Sequence, residues 1–451
     1  MKENTRIPDK DTIVAIATPP GKGAIGIVRT TGPNTRAIAE AILGHPPRSR
    51  YAHFCNLTDR NDNVIDQTIV IFYPGPASYT GEDVLEVQGH GGAAVLGLLQ
   101  DRILELGARP ANPGEFTERA FLNDKIDLVQ AEAVADLIDS VSAQAARCAI
   151  RSLSGDFSRQ LDEMYQALVN IRVLIEGSMD FSDEDIDFLQ DRNIEGMIGE
   201  CIKSIRHIRQ LSTQGARLRE SKQVLILGPV NVGKSSLMNR LTGEDTAIVN
   251  FRAGTTRDVI KEEITIGRQM IQLVDTAGIR NSPDEIETEG IRRALDIAVS
   301  SDVVLLMFEC VQSAEERDNL INLVSPGTKT ILVQNKIDLK DLPPGKSEYR
   351  ERVQISLSAK TGAGVLLLKQ HLEELLTGEI QEENLILARQ RHLDAISSVE
   401  TYLEEAMNVK HNVEEIAENL RLAQNELGRV TGVFTPDDLL GEIFSRFCIG
   451  K

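Results

Sequence analysis

The sequence has little of what a disulfide-bonded, zinc-binding or membrane-spanning protein needs. Its five cysteines are scattered over 451 residues without a Cys-x-x-Cys pair, which argues against a disulfide framework or zinc site and predicts reduced thiols. No apolar run approaches the roughly 20 residues that span a bilayer. The N-terminus is charged and lacks the apolar segment of a signal peptide, so we expect a cytoplasmic protein with no membrane partner.

Positive charge is also scarce. The chain carries 49 Lys and Arg against 68 Asp and Glu, a net charge of -19, which argues against non-specific attraction to nucleic acid. The densest basic stretch, KSIRHIRQLSTQGARLRESK, is interpreted as a solvated helix face and linker, with a local nucleic-acid patch as the alternative. Its cations are Lys203, Arg206, Arg209, Arg217, Arg219 and Lys222.

Three patterns only partly match ligand sites. GKGAIG, residues 21–26, fits Gly-x-Gly-x-x-Gly, but the residues after it do not open the helix that a dinucleotide site requires, so we expect a turn between strands. SDEDIDF places aspartates at alternate positions as in a calcium loop, but Phe188 stands where glycine is needed, which favours a solvated acidic loop. His90 in QGHGG is interpreted as a turn residue rather than a metal ligand.

The texture of the sequence changes three times along the chain. Residues 1–122 contain short strand patterns separated by Gly and Pro, typical of an α+β domain. Residues 123–217 and 379–451 show helical periodicity, and residues 218–378 alternate strands with helices as in a mostly parallel sheet. We therefore expect a multidomain α+β and α/β protein, in which an α/β domain is inserted into a discontinuous helical domain.

A glycine-rich loop lies at the start of the α/β segment. GPVNVGKSS matches Gly-x-x-x-x-Gly-Lys-Ser from Gly228 to Ser235, directly after the apolar strand VLIL and before a helical stretch. Glycines let backbone N–H groups surround phosphates at a helix N-terminus, Lys234 reaches the outer phosphates, and the Ser235 hydroxyl is available to magnesium. The pattern predicts a P-loop.

Three further motifs follow the P-loop in the order of Ras-like GTPases. DTAG, Asp275 to Gly278, ends an apolar strand, where the carboxylate suits the metal's water and the glycine N–H suits the γ-phosphate. NKID, Asn335 to Asp338, supplies a carboxylate that accepts two hydrogen bonds from guanine but would be left unpaired by adenine. SAK, Ser358 to Lys360, fits the loop over the base, so GTP is expected rather than ATP.

The residues for hydrolysis are less clear from the motifs. Ile279 stands where Ras-like enzymes have a water-orienting glutamine, so another polar group must orient the water. The candidates in DEIETEG are Asp284, Glu285, Glu287 and Glu289. No arginine finger is evident, and Asn231 is a candidate ligand for a monovalent cation in its place.

The polar stretch AGTTRD, Ala253 to Asp258, has the threonines of a switch segment that contacts magnesium in the GTP state.

Stretches across the whole chain resemble one family. They are DTIVAIATPPGKGAIGIVR, YTGEDVLEVQGHGG, PGEFTERAFLNDKIDLVQAEAVADLI, NVGKSS, AIVN with AGTTRDV, DTAGIR with DEIETEGI, and LGRVTG to the terminal FCIGK. The GTPase motifs are shared by many families, whereas the flanking stretches are specific. The chain resembles the bacterial tRNA modification GTPases of the MnmE (TrmE) type.

The resemblance implies an architecture and a reaction. It implies an N-terminal folate-binding and dimerisation domain, a discontinuous helical domain and an inserted Ras-like P-loop GTPase domain, hence a homodimer. It implies that the FAD-dependent MnmG (GidA) protein is a partner in a heterotetramer or larger complex. Together they would add a carboxymethylaminomethyl or aminomethyl group to carbon 5 of the wobble uridine of certain tRNAs. The implied cofactors are GTP, Mg²⁺, K⁺ and 5-formyl- or 5,10-methylene-tetrahydrofolate.

The resemblance also assigns roles to residues of this sequence. Glu287 aligns with the catalytic glutamate, beside Lys234 of the P-loop. Magnesium falls to Ser235 and Thr256, and potassium falls to Asn231, Asn250, Arg252 and Thr255. Family members often have TDI where this sequence has NFR, a change that is harmless if main-chain carbonyls bind the potassium. The folate contacts fall on Arg29, Glu86, Lys125 and Lys451.

The complete expected GTP site combines the four motifs with the switch segment. Its members are Asn231, Val232, Gly233, Lys234, Ser235, Ser236, Asn250, Phe251, Arg252, Ala253, Gly254, Thr255, Thr256, Asp275, Thr276, Ala277, Gly278, Asn335, Lys336, Asp338, Ser358, Ala359 and Lys360.

Two alternatives and one residue stay open at this point. A regulatory GTPase of ribosome assembly would use the same nucleotide motifs, but no KH-type or strongly basic module is visible. A folate-binding module with a vestigial GTPase is disfavoured by the intact motifs. In FCIGK, Ile449-Gly450-Lys451 does not fit a prenylation box, and Cys448 is either a catalytic thiol or a packing residue at a helix end.

Overall fold

The computed structural model describes residues 11–140, 143–180, 193–216, 222–244, 260–266, 269–275, 297–298, 301–325, 327–377, 385–409, 412–433, 437–445, 447–448 and 450. The chain forms two compact units. The first unit comprises Met1–Asp136, Ile150–Arg209 and Arg389–Lys451, and the second comprises Leu137–Ala149 and Gln210–Ala388.

The secondary structure of the described residues is mixed. The strands are β1 Ile13–Ile16, β2 Gly26–Thr31, β3 Ala52–Thr58, β4 Val64–Tyr73, β5 Val84–Gly89, β6 Arg109–Pro110, β7 Lys222–Leu227, β8 Ile260–Ile266, β9 Gln269–Asp275, β10 Val303–Glu309, β11 Thr330–Asn335, β12 Gly345–Tyr349 and β13 Arg352–Ser356. The helices are α1 Thr35–Leu43, α2 Ala93–Glu105, α3 Glu115–Leu122, α4 Leu128–Ile138, α5 Ala143–Leu153, α6 Asp156–Asp180, α7 Ile194–Ala216, α8 Lys234–Glu244, α9 Ala314–Asn322, α10 Val365–Thr377, α11 Gln390–Asn408, α12 Val413–Thr431 and α13 Asp437–Ser445.

The first unit contains a sheet in the order β3-β4-β5-β2-β1-β6. Its neighbours pair antiparallel except β1 and β6, which pair parallel. Helix α2 packs on the sheet, with Leu99 and Ile103 buried in the same core as Val14, Val28 and Val87. Buried residues alternate with half-buried ones along most of β2 and β5, as expected for a sheet with one face covered by helices.

Helices from both flanks of the α/β segment pack together in the first unit. Helices α11 and α12 pack against each other, and α6 packs on α12. The buried apolar residues on α6 are Leu161, Met164, Leu168, Ile171 and Ile175, and those on α12 are Ile416, Leu420, Ala423 and Leu427. Between α6 and α12, Arg172 Nη1 donates to Gln424 Oε1 at 2.5 Å. The 3.6-residue periodicity therefore identified the buried faces correctly.

The second unit contains a sheet in the order β12-β13-β11-β10-β7-β9-β8. Its five central strands run parallel, and β12 and β8 pair antiparallel at the two edges. Successive residues of β7 and β10 enter two different cores, one closed by Leu237 of α8 and the other by Ile321 of α9. A sheet with helices on both faces is the doubly wound α/β architecture, so the expected mixture of α+β and α/β units is confirmed.

The structure decides between the alternatives for the GKGAIG stretch and for the basic stretch. The GKGAIG stretch leads into β2, which begins at Gly26, and no helix opens there. In the basic stretch, Arg206 pairs with Glu400 and Glu404 at 2.8 and 2.5 Å, and Arg209 pairs with Glu400 at 2.6 Å. These ion pairs support the helix-face interpretation over a nucleic-acid patch. The acidic SDEDIDF stretch lies outside the described residues. In the parts of the chain with described structure, no helix is long and apolar enough to span a bilayer.

Candidate nucleotide site and a cation-rich loop

The predicted P-loop joins a buried strand to a helix. Strand β7 ends at Leu227 and helix α8 begins at Lys234, where Leu237 N donates to Gly233 O at 2.9 Å. Asn231 and Gly233 have positive φ angles of 64° and 103°. A Cβ at Gly233 would lie 2.4 Å from Asn335 Nδ2, so only glycine allows the loop to come this close to the end of β11.

Lys234 folds back over the loop that it follows. Its Nζ donates to Gly228 O and to Pro229 O, both at 2.8 Å. The ammonium group is therefore held above the loop backbone, where a P-loop lysine meets the outer phosphates. Ser235 and Ser236 are exposed in the first turn of α8, at the same end of the helix.

Asn335 links the P-loop to the SAK loop. It is the last residue of β11 and is 2% exposed. Its Nδ2 donates to Val232 O at 2.8 Å, and its Oδ1 accepts from Ala359 N at 2.9 Å. One buried amide thus satisfies a carbonyl of the phosphate loop and an N–H of the base loop, which fixes the two loops relative to each other.

The base-recognition carboxylate is oriented by the same SAK loop. Ser358 Oγ donates to Asp338 Oδ1 at 2.6 Å, and Ser358 itself is buried. This leaves the second oxygen of Asp338 as an acceptor. Arg240 Nη2 on α8 donates to Lys360 O at 2.8 Å, which ties the outer end of the SAK loop to the helix after the P-loop.

Two residues at the end of β10 support the NKID loop and were not predicted. Lys336 has a left-handed backbone, with φ 63° and ψ 35°. Its Nζ pairs with Glu309, and its carbonyl accepts from Cys310 Sγ at 3.0 Å. A non-glycine residue with positive φ needs such support. The only sequence signal for Glu309 and Cys310 was their position at the end of an apolar strand, β10, which runs parallel to the strand before NKID.

The remaining predicted GTP-site residues are only partly described. Asp275 is the last residue of β9 and pairs with Ile226 of the P-loop strand, so its backbone lies beside the phosphate loop. The others lie outside the described residues. They are Asn250, Phe251, Arg252, Ala253, Gly254, Thr255, Thr256, Thr276, Ala277, Gly278 and Glu287.

A second group of predicted site residues lies in the first unit. Arg29 and Glu86 face each other across β2 and β5, and Arg29 Nε and Nη2 donate to Glu86 Oε1 at 3.0 and 2.8 Å. The Arg29 guanidinium lies 5.9 Å from the centre of the Tyr79 ring. Burial raises the pKa of Tyr79, and burial together with the Glu86 charge raises the pKa of Tyr73. Both phenols are therefore neutral hydrogen-bonding groups at neutral pH.

The C-terminal segment lies against the same unit. Gly114 N donates to Cys448 O at 3.4 Å, and Phe447 is buried beside Phe444. A Cβ at Gly450, whose φ is 97°, would lie 2.5 Å from Ile16 O. Cys448 is exposed. Lys451 lies outside the described residues.

The doubly wound sheet, the P-loop and the guanine-type motifs on successive strand ends define this protein as a P-loop GTPase. A family model described as the GTP-binding protein TrmE N-terminus matches residues 12–125, and one described as the MnmE helical domain matches residues 128–448. The chain belongs to the MnmE (TrmE) family.

Curated relatives agree with this family, and solved structures match parts of the chain. The tRNA modification GTPase MnmE of Coxiella burnetii is 49% identical over 98% of this chain and 99% of its own length. That of Nitrosococcus oceani is 48% identical over 98% of this chain and 97% of its own length. Among solved structures, the G domain of the T. maritima FeoB iron transporter is 25% identical, covers 35% of this chain and 99% of its own, and has a TM-score of 0.27. Aquifex aeolicus Era bound to GDP.AlF4- is also 25% identical, covers 43% of this chain and 69% of its own, and has a TM-score of 0.27.

Proposed function

We propose that this protein couples GTP hydrolysis to modification of carbon 5 of the wobble uridine in certain tRNAs. The added group is carboxymethylaminomethyl or aminomethyl, the partner is the FAD-dependent MnmG (GidA) protein, and the compartment is the cytoplasm. The observation that carries this proposal is the likeness to tRNA modification GTPases over 98% of the chain, combined with an intact nucleotide site. Identity confined to the GTPase motifs would not have supported a tRNA substrate.

The preference for GTP follows from the Asp338 carboxylate. Ser358 Oγ holds one carboxylate oxygen at 2.6 Å and leaves the other to accept from the guanine N1–H and exocyclic amine. Adenine offers no matching donor pair, so its binding would leave a desolvated carboxylate unpaired. Asn335, in the same NKID motif, donates to Val232 O of the phosphate loop and accepts from Ala359 N of the SAK loop, which ties the base loops to the phosphate loop.

Two cations and one carboxylate would support hydrolysis. Magnesium would be held by Ser235 and Thr256, and potassium by Asn231, Asn250, Arg252 and Thr255. Of these residues, Asn231 and Ser235 are described, and both are exposed at the phosphate loop, which fits a role as cation ligands. The cations would supply positive charge beside the phosphates.

The attacking water would be oriented by Glu287. Replacing Glu287 with alanine should leave GTP affinity nearly unchanged and slow hydrolysis on the order of 100-fold or more. Replacing potassium with sodium should also slow hydrolysis by the wild type. Equal rates in the two salts would remove potassium from the proposal, and parallel loss of GTP binding in the Glu287 variant would indicate misfolding.

The one-carbon unit would come from 5-formyl- or 5,10-methylene-tetrahydrofolate bound in the first unit. Arg29, Glu86, Lys125 and Lys451 would form its site, with the exposed thiol of Cys448 as a catalytic group. A tail backbone that contacts Gly114 and Ile16 supports this assignment, because Ile16 follows Ala15, which pairs with Arg29.

We also propose a homodimer formed through the N-terminal sheet. Phe54 and Ile69 face each other across β3 and β4 and are 71% and 40% exposed. Such an exposed apolar pair, formed by the edge strand β3 and its neighbour β4, is typical of a surface that another chain covers. The measurement is the molar mass in solution of the wild type and of Phe54→Ser, for which we expect a shift toward monomer.

The decisive test of the function is mass spectrometry of wobble uridines in cells that lack this protein. The expected result is loss of the carbon-5 modification, restored by the wild-type gene. Restoration should fail with Lys234→Ala, which removes the phosphate-contacting ammonium. Unchanged uridines in the deletion strain would refute the tRNA function while leaving the GTPase assignment intact.

A further inference from the structure

The loop after β4 is contacted by two cations that have no carboxylate partner among the described residues. Lys125 Nζ donates to Pro76 O at 3.0 Å. Arg50 Nη2 donates to Ala77 O, the very next carbonyl. Arg29 and Arg119 in the same unit are paired with Glu86 and Glu82, respectively, so their charges are already neutralised. The positive charges of Arg50 and Lys125 are not.

Arg50 is held in place more firmly than an ordinary surface arginine. Its backbone adopts φ 53°, and its N–H donates to Phe72 O at 2.8 Å. Its guanidinium lies 5.5 Å from the centre of the Tyr73 ring. A non-glycine residue with positive φ is strained, and such strain persists where the surrounding contacts fix a functional side chain. The contacts with Phe72 O, the Tyr73 ring and Ala77 O therefore orient Arg50 toward the loop.

The two cationic groups are close enough together to contact one dianion. Consecutive carbonyls belong to residues whose Cα atoms are about 3.8 Å apart, so groups bonded to them lie within roughly 10 Å of each other. The guanidinium has five N–H donors and the ammonium three, and a single carbonyl uses one of each. The remaining donors suit two carboxylates separated by a short carbon chain.

We propose that Arg50 and Lys125 together bind the two carboxylates of the glutamate moiety of the folate cofactor. The inference rests on the folate role in the proposed function and adds Arg50, which no resemblance assigned. The two carboxylate carbons of glutamate lie about 5 Å apart across four carbon–carbon bonds, which is within the upper limit of roughly 10 Å for the two cations. The Arg29–Glu86 pair lies on the adjacent strands and would face the rest of the cofactor.

The test compares two ligands that differ only in this moiety. Equilibrium binding is measured for 5-formyl-tetrahydrofolate and for its pteroate analogue, which lacks glutamate. Losing a charged hydrogen-bond donor should weaken binding of the folate about 10- to 100-fold in Arg50→Gln. Arg50→Lys, which keeps the charge, should recover part of the loss. The pteroate analogue should bind equally to the wild type and to Arg50→Gln.

The matched control is Arg48→Gln. Arg48 lies two residues away and 4.5 Å from the centre of the Tyr51 ring, so it tests the loss of one nearby arginine. It should bind both ligands as the wild type does. Unchanged GTP hydrolysis in each variant confirms that the chain is folded.

Three outcomes would overturn the inference. Folate binding by Arg50→Gln equal to that of the wild type would remove Arg50 and leave the folate role standing. An equal loss for both ligands would show that Arg50 supports the fold of the site rather than the glutamate. If the wild type binds neither ligand, the folate role itself fails and the inference fails with it.

Discussion

Asn335 should be the residue whose truncation most directly separates the phosphate loop from the base loop. Its side chain is 2% exposed and makes two hydrogen bonds, to Val232 O at 2.8 Å and from Ala359 N at 2.9 Å. Asn335→Ala removes both and leaves a buried carbonyl and a buried N–H without partners. Because Gly233 has no side chain, the cavity also opens toward the P-loop.

The magnitude follows from the cost of the two unpaired groups. Each unsatisfied buried polar group costs about 1–3 kcal/mol, and water entering the vacated space offsets part of this. A net loss of about 3 kcal/mol is on the order of 100-fold in the equilibrium between closed and open loops. GTP affinity should therefore fall by about 10- to 100-fold, since part of the binding free energy must now bring the two loops together.

Two measurements check this reasoning. Titration with a fluorescent GTP analogue gives the affinity, and hydrogen exchange monitored by mass spectrometry should show faster exchange at the Ala359 amide. The control is Gln334→Ala, one residue earlier on β11, which loses the 2.8 Å hydrogen bond from Ser356 Oγ but does not contact the P-loop. It should be less stable than the wild type and bind GTP equally well. Wild-type affinity in Asn335→Ala would refute the coupling of the two loops through this amide.

Further substitutions test the base site and the helical core. Asp338→Asn should lower the affinity for GTP and raise the affinity for xanthosine triphosphate relative to GTP, because an amide donates to the xanthine 2-carbonyl. Nucleotide competition measures the ratio of the two affinities. Cys310→Ala should weaken GTP binding several-fold and Cys310→Ser should largely restore it, because the serine hydroxyl can still donate to Lys336 O; an equal loss in both would exclude a hydrogen-bonding role. Glu132 is buried, and although burial raises its pKa, hydrogen bonds from His392 and Arg391 outweigh this and hold the pKa well below 4.5. Glu132→Gln should therefore cost about 3 kcal/mol of unfolding free energy at pH 7, and the difference from wild type should shrink as the pH falls below 4.5; urea unfolding at several pH values measures it.

The sequence predicted the elements that are defined by apolar periodicity. Strand β4, Val64–Tyr73, coincides with the apolar stretch VIDQTIVIFY, one of the strand patterns in residues 1–122. The helical periodicity also identified the buried faces of α6 and α12. Apolar residues repeat with the 3.6-residue period because one face of each helix packs against the core. The P-loop was predictable because its glycines, lysine and serine each have a separate chemical requirement.

Other elements left little signal. Strand β12, Gly345–Tyr349, is a polar edge strand whose residues remain partly or fully exposed, so no alternation of apolar residues marks it. Strand β3 is also an edge strand and buries only His53 and Leu57. Helices α1 to α3 were hidden among the short strand patterns of residues 1–122. Edge strands and short helices depend on tertiary pairing more than on local pattern, which is why they were missed.

Site residues were predictable only where a motif carries them. Asn335 and Asp338 were found through NKID, whereas Cys310 and Arg50 act by contacting backbone carbonyls of loops distant in sequence. A contact to a main-chain carbonyl imposes no particular residue on the partner position. Such supporting residues therefore appear only when the loops are seen in place.

In the terminal FCIGK segment, packing against the rest of the unit is carried by residues other than Cys448. Gly114 and Gly450 both have positive φ, and a Cβ on either would lie 2.5 Å from a backbone oxygen, of Phe444 and Ile16, respectively. The glycines thus allow the tail to lie against the N-terminal sheet, and Phe447 fills the core beneath it. With packing supplied by these residues, Cys448 is left exposed and is not needed to close a core. This arrangement is compatible with the chemical role proposed for the thiol, because the tail that carries Cys448 approaches Ile16, the residue after the one that pairs with Arg29.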